Sequence, residues 1–187
     1  MTFSYTPLTR HTQGQTFISN CKQWNDAIHK LHDRPLTIFT SLSFNPNEPE
    51  VQPDSPFAKL IAPCDKLTAG SHRAQIYKRF QIDKSDIVLQ KTRWSATSGS
   101  SLVEQILRAK GIKSVVVSGL SLSGVVLATV YTLFDLDYNV YVIRDNVLEL
   151  PVEQTGEVAH VMMDILLPKV ALSVISLEEA IEALRRS

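Results

Sequence analysis

The chain has 187 residues, 19 Lys and Arg against 19 Asp and Glu, and 44% hydrophobic residues. Balanced charge excludes the basic field that holds nucleic acid by counterion release, and the apolar share excludes wholesale disorder while sufficing for the core of one domain. The longest apolar runs, 115–117 and 124–130, are far below the ~20 residues of a bilayer span, so no membrane partner is expected.

The opening, MTFSYTPLTRHTQGQ, is polar and lacks the apolar core of a signal peptide. Cys21 and Cys64 stand far apart without CxxC spacing, which argues against a disulfide scaffold or a thiolate metal site. A cytoplasmic location is the expectation. The first strong pattern is helical: Phe17, Cys21, Trp24, Ile28 and Leu31 form one apolar stripe. Strands follow at 36–42 (LTIFTSL), 86–91 (DIVLQK), 114–120 (SVVVSGL), 140–145 (VYVIRD) and 171–176 (ALSVIS). Near-continuous Val/Ile runs predict strands covered on both faces, the mark of a parallel sheet between helix layers.

Helices are predicted between these strands. One spans 101–110, with Leu102, Val103, Ile106 and Leu107 inward and Gly111 as a left-handed cap. The next, 123–137, is apolar almost all round, which predicts deep packing. Pro151 can open and Pro168 close a third, with Met162 and Met163 in its core. Ser176-Leu-Glu-Glu179 is a capping box for the last, which ends in Arg185 and Arg186. The alternation predicts one domain over 1–187, a three-layer α/β/α sandwich with a mostly parallel sheet and right-handed crossovers. Two stretches stand apart. Residues 44–56 (FNPNEPEVQPDSP) carry four prolines and form a loop at the carboxyl end of the first clear strand, where such sheets bind ligands; a tolerated surface insertion is the plain alternative. Residues 1–15 should open with a buried strand but offer only FSYTPL at 3–8, short, polar and interrupted by Pro7.

Several motifs fail on inspection. Gly119 and Gly124 have phosphate-loop spacing, but Val125 and Val126 replace the required Lys and Ser/Thr. His29 and His32 lie one helical turn apart without the carboxylate and third ligand of a zinc site, so a solvated helix face is expected. Asp135 and Asp137 read as cap and turn residues. No metal and no cofactor are expected. The informative segment is 114–137: a strand, a Gly/Ser-rich turn, and a helix beginning near Ser123. First-turn N–H groups over 121–125 favour an anion, an oxyanion or a thiolate. Lys91 ends a neighbouring strand at the same sheet edge. An ammonium and a helix N-terminus facing one crevice suit a carboxylate or carbonyl, although a surface lysine closing a strand explains Lys91 equally.

These residues carry a resemblance. Over 87–146, and more loosely over 16–42 and 171–184, the chain resembles the isochorismatase-like cysteine hydrolases. The matching features are Lys91 followed by Arg93-Trp94-Ser95-Ala96, the helix end Arg108-Ala-Lys-Gly-Ile112, then VVSGLSLSGVV before a buried helix. The resemblance implies a triad of aspartate, lysine and cysteine, in which the cysteine on the helix N-terminus is the nucleophile and the first-strand aspartate moves protons. Carried over, the lysine is Lys91 and the cysteine position is Val125, which has no nucleophilic atom. The aspartate should end a V-I-D-x-Q strand near the N-terminus, and no such strand is present. Neither Cys21 nor Cys64 is placed to substitute.

Three readings follow. The favoured one is a member of this fold that is non-catalytic or reassigned, binding a small carbonyl or carboxylate compound among Lys91, Trp94, Ser95, Ser121, Leu122, Ser123 and Gly124. A variant of it is vinyl-ether hydrolysis, which some family members perform without the cysteine, with an acid such as Glu48, Glu50 or Asp54 reaching in from the Pro-rich loop. The second is a serine hydrolase: Gly119-Leu-Ser121-Leu-Ser123 nearly matches a GxSxG elbow, Asp145 and His160 follow in triad order, and a Ser123–Lys91 dyad is a weaker form. The third is an interaction role as a homo-oligomer subunit, since the family commonly assembles through helices flanking the site.

Overall fold

A computed structural model describes residues 8–62, 67–97 and 102–186. Helix α1 (Thr12–His29) carries the predicted stripe, burying Phe17, Ile18 and Ile28. It leads to strand β1 (Ile38–Leu42), the short helix α2 (Pro56–Ile61), strand β2 (Ile87–Lys91), helix α3 (Leu102–Ala109) and strand β3 (Ser114–Leu120). Helix α4 opens with a π-helical turn, Leu122–Val126, and continues as α-helix over Leu127–Asp135. Strand β4 (Asn139–Leu148) precedes α5, a helical run over 152–169 that joins short 3-10, α and π turns. Strand β5 (Ser173–Ile175) and helix α6 (Leu177–Arg186) close the chain. Pro168 lies within the last turn of α5, one residue before that turn ends.

The predicted α/β class holds, and every strand pair is parallel. Helices α1 and α6 cover one face, where Trp24, Leu177, Ala180 and Ile181 pack on Ile143. Helices α3, α4 and α5 cover the other, where Val103, Leu107, Val130, Leu133, Met163 and Leu167 meet Val140 and Val142. Gly111 adopts φ 64° and its N–H bonds back to Arg108, ending α3. Ser176 and Glu179 exchange the capping-box bonds at 2.7 and 3.1 Å. Asp137 takes a left-handed turn at φ 63°.

The sheet differs from expectation in continuity. Among the described residues it is two pieces: β2 beside β1, and β3-β4-β5. The expectation that Val/Ile-rich strands are covered on both faces fails for β3, where Val116 keeps 44% exposure, because that edge has no neighbouring strand among the described residues. Helix α4 is likewise less enclosed than its composition predicts. Val126, Val130 and Leu133 are buried, but Tyr131 and Phe134 lie on an open face. The solvated face expected for the histidines is true of His32 and wrong for His29. His32 points into solvent, whereas His29 is buried and bonded to the buried Asp86 at 2.9 Å. The segment FSYTPL at 3–8 lies outside the described residues except for Leu8. Leu8 packs with Phe17, Ile18, Leu148 and Val152 at the carboxyl end of β4.

Candidate functional site

Strands β1 and β2 end together, Leu42 opposite Lys91, and the Lys91 carbonyl accepts the Ser43 N–H. The Lys91 ammonium curls back onto the following loop, donating to the carbonyls of Arg93 at 2.9 Å and Trp94 at 2.6 Å. Burial removes water from the charge and pushes its pKa down to about 8. Among the described residues no carboxylate forms an ion pair with it.

The loop so held packs onto the start of α4. A Cβ at Gly124 would stand 3.3 Å from the Trp94 ring and 2.9 Å from Ser121 Oγ, so only glycine allows this approach. The Ala96 N–H donates to Thr129 Oγ1 at 3.0 Å, and the Thr129 hydroxyl donates to the Val125 carbonyl at 2.8 Å. Lys91, Trp94, Ser121, Gly124 and Val125 lie at one end of the parallel strands. The Leu120–Ser121 peptide bond in this turn is cis. Two expected ligand contacts do not face the crevice. Leu122 is fully buried in the core, and the buried Ser95 hydroxyl is paired with Thr97 at 2.9 Å and Thr132 at 3.2 Å.

Glu149 is the residue that sequence reasoning missed. Its carboxylate accepts the Ser123 N–H at 2.6 Å and the Leu150 N–H at 2.7 Å, and the side chain is buried. The anion expected at the first turn of α4 is therefore internal, at least for Ser123. No local signal could reveal it, since Glu149 lies 26 positions away and meets the turn only when β3 and β4 pair.

The Pro-rich loop is fastened to the loop that follows β2. Arg93 stacks on Phe57 at 5.0 Å and donates to the Glu50 carbonyl at 2.8 Å. Its acids serve the loop itself. The Asn45 backbone N–H holds Glu50 below the usual carboxylate range, and Glu48 and Asp54 occupy left-handed turn positions at φ 50° and 59°. The serine-hydrolase constellation is not assembled. Asp145 caps α6 through the Leu177 N–H at 2.7 Å, and the exposed His160 pairs with Asp164 at 3.1 Å. Neither bonds Ser121. The Ser123–Lys91 dyad also fails, because the Lys91 ammonium is engaged by two carbonyls. Cys21 is half-buried with its thiol on the Asn146 carbonyl, and loss of water around the sulfur pushes its pKa up to about 12, so it carries no thiolate at neutral pH. Cys64 lies outside the described residues.

His29, Asp83 and Asp86 gather metal-type ligand atoms at the far end of β2. The Arg34 guanidinium is already paired with both carboxylates, at 2.5 Å and 3.1 Å, so a cation occupies the cluster and it reads as an ion-pair lock. Among the described residues no helix is long and apolar enough to cross a membrane.

Parallel strands between two helix layers, with a crevice at their carboxyl ends, define the open three-layer α/β class of scaffolds. The Isochorismatase domain model matches residues 3–179, and the chain belongs to that family. No curated protein matches the sequence. Solved structures do: a cysteine hydrolase from Pseudomonas syringae pv. phaseolicola superposes with a TM-score of 0.77 at 11% identity, covering 94% of this chain and 83% of that one. An isochorismatase family protein from Burkholderia thailandensis gives 0.71 at 21% identity, covering 92% and 84%. N-carbamoylsarcosine amidase from Thermoplasma acidophilum gives 0.69 at 17%, covering 90% and 86%. At these identities the likeness concerns the fold.

Proposed function

We propose that this chain is a member of the isochorismatase family that binds a small carbonyl or carboxylate compound and does not perform thiol-dependent hydrolysis. The observation that carries the reading is Val125, an isopropyl group at the place where the family resemblance implies sulfur, on the same turn that meets Trp94. Lys91 supplies the positive charge, with Trp94 and the 121–124 turn as the walls. Two acids near the crevice, Glu149 and Glu50, are engaged as acceptors. Both Glu149 oxygens receive N–H groups, and Glu50 is held ionised. Glu50, held ionised by its donors, is a poor proton donor, which weighs against its use in acid-catalysed vinyl-ether cleavage.

The test pairs binding with turnover. Calorimetric titration with benzoate and benzamide should show benzoate binding that falls at least about tenfold in Lys91→Met, the scale of one charged contact. The same preparation should hydrolyse neither nicotinamide nor benzamide. Turnover abolished by iodoacetamide would overturn the proposal, and so would an absence of binding by either compound.

A further inference from the structure

Arg93 joins the Pro-rich loop to Lys91, and it does so with its side chain and its backbone together. The guanidinium lies over the Phe57 ring at 5.0 Å, donates to the Glu50 carbonyl at 2.8 Å and turns back to the Thr92 carbonyl at 2.7 Å. The Arg93 carbonyl in turn accepts from the Lys91 ammonium at 2.9 Å, and the next carbonyl, that of Trp94, accepts at 2.6 Å. Phe57 is itself fixed. Its ring meets Phe44 edge-on at 6.3 Å, and Phe44 is buried and bonded through its backbone to Leu67 and Ala69. A continuous line of contacts thus runs from the base of the Pro-rich loop to the ammonium.

The guanidinium's partners are two carbonyls and a ring, none of them charged. Contacts of this kind depend on direction, so they fix the peptide units from Thr92 to Trp94, and those units carry the acceptors of Lys91. We propose that Arg93 is a positioning residue, which clamps the loop after β2 to the Pro-rich segment and so holds the Arg93 and Trp94 carbonyls against the Lys91 ammonium. The role rests on the reading of Lys91 as the ligand's counter-charge, and it makes the Pro-rich segment the element that keeps water from that charge. Leu42 and Ser43, beside Lys91 on β1, are uncharged. The charged groups on the flanking segments are Arg93 itself, Glu50, which accepts the Asn45 N–H at 3.0 Å, and Glu149, which is held by Ser123 and Leu150. None of them forms an ion pair with Lys91 among the described residues.

The test is the titration of Lys91 itself in the whole chain, followed by the NMR signal of its Cε methylene with isotope-labelled lysine and assigned by its loss in Lys91→Met. The unaltered chain should titrate near pH 8, because burial holds the ammonium below its ordinary 10.5. Release of the clamp admits water, so the midpoint should climb by at least about one pH unit in Arg93→Ala and at least about half a unit in Phe57→Leu. Phe57→Leu leaves every charge in place, so a rise there comes from the lost ring face. A rise confined to Arg93→Ala marks Arg93 as a repelling charge and overturns the proposal, as does a rise confined to Phe57→Leu or none in either. Should Phe57→Leu unfold, Arg93→Lys takes its place, keeping the charge without the planar fork, and the same outcomes apply. The signal is read without ligand, so a failure here leaves the benzoate test standing, and a failure of benzoate binding leaves this one.

Discussion

Lys91 holds its charge at a cost, and that cost makes its pH behaviour predictable. With a folded pKa of about 8 against an ordinary 10.5, the ammonium is half lost near pH 8. Benzoate affinity should therefore fall as pH rises through about 8, and the Lys91→Met variant should show no such inflection. Stability moves the opposite way. Between about 8 and 10.5 the unfolded chain binds more protons than the folded one, so unfolding free energy rises with pH across that window, readable by denaturant melts at pH 8 and 10. Gly124 gives a second test at this scale. A methyl group in Gly124→Ala meets Ser121 Oγ and the Trp94 ring, so it should weaken ligand binding at least about tenfold by displacing the wall, with the far-ultraviolet spectrum unchanged.

Among elements, α1 is attached to the stretch before β2 by buried polar contacts. Asn25 exchanges bonds with the backbone of Gln81 at 2.8 and 3.1 Å, and Asp86 joins His29 to Arg34. Asp86→Asn removes the shared charge and leaves the guanidinium without its buried partner. We expect a loss of about 3 kcal/mol, about 6–12 °C in Tm by calorimetry. The pair was invisible in the sequence, because His29 and His32 look alike in a helical pattern, and only the packing of Asp86 buries one of them. By contrast, the α6 capping box was legible because its partners are three residues apart. Glu179→Ala should lower the urea midpoint, because it leaves the Ser176 N–H without its acceptor.

At the scale of the whole molecule, the open face of α4 bears on the expected homo-oligomer. Tyr131 and Phe134 keep 37% and 41% exposure on a helix otherwise sunk in the core. Light scattering should give a mass above one chain of 20.9 kDa, falling to one chain in Tyr131→Glu/Phe134→Glu.

By itself, the sequence determined the α/β class, the order of strands and helices, the cap at Gly111 and the Ser176–Glu179 box. Each rests on local periodicity or on a recurring motif. Tertiary structure decided the rest: Glu149 under Ser123, the burial of His29, and the dispersal of Ser121, Asp145 and His160. Those depend on which strands become neighbours. Long-range pairing sets where a side chain's environment comes from, and composition along the chain carries no record of that distance.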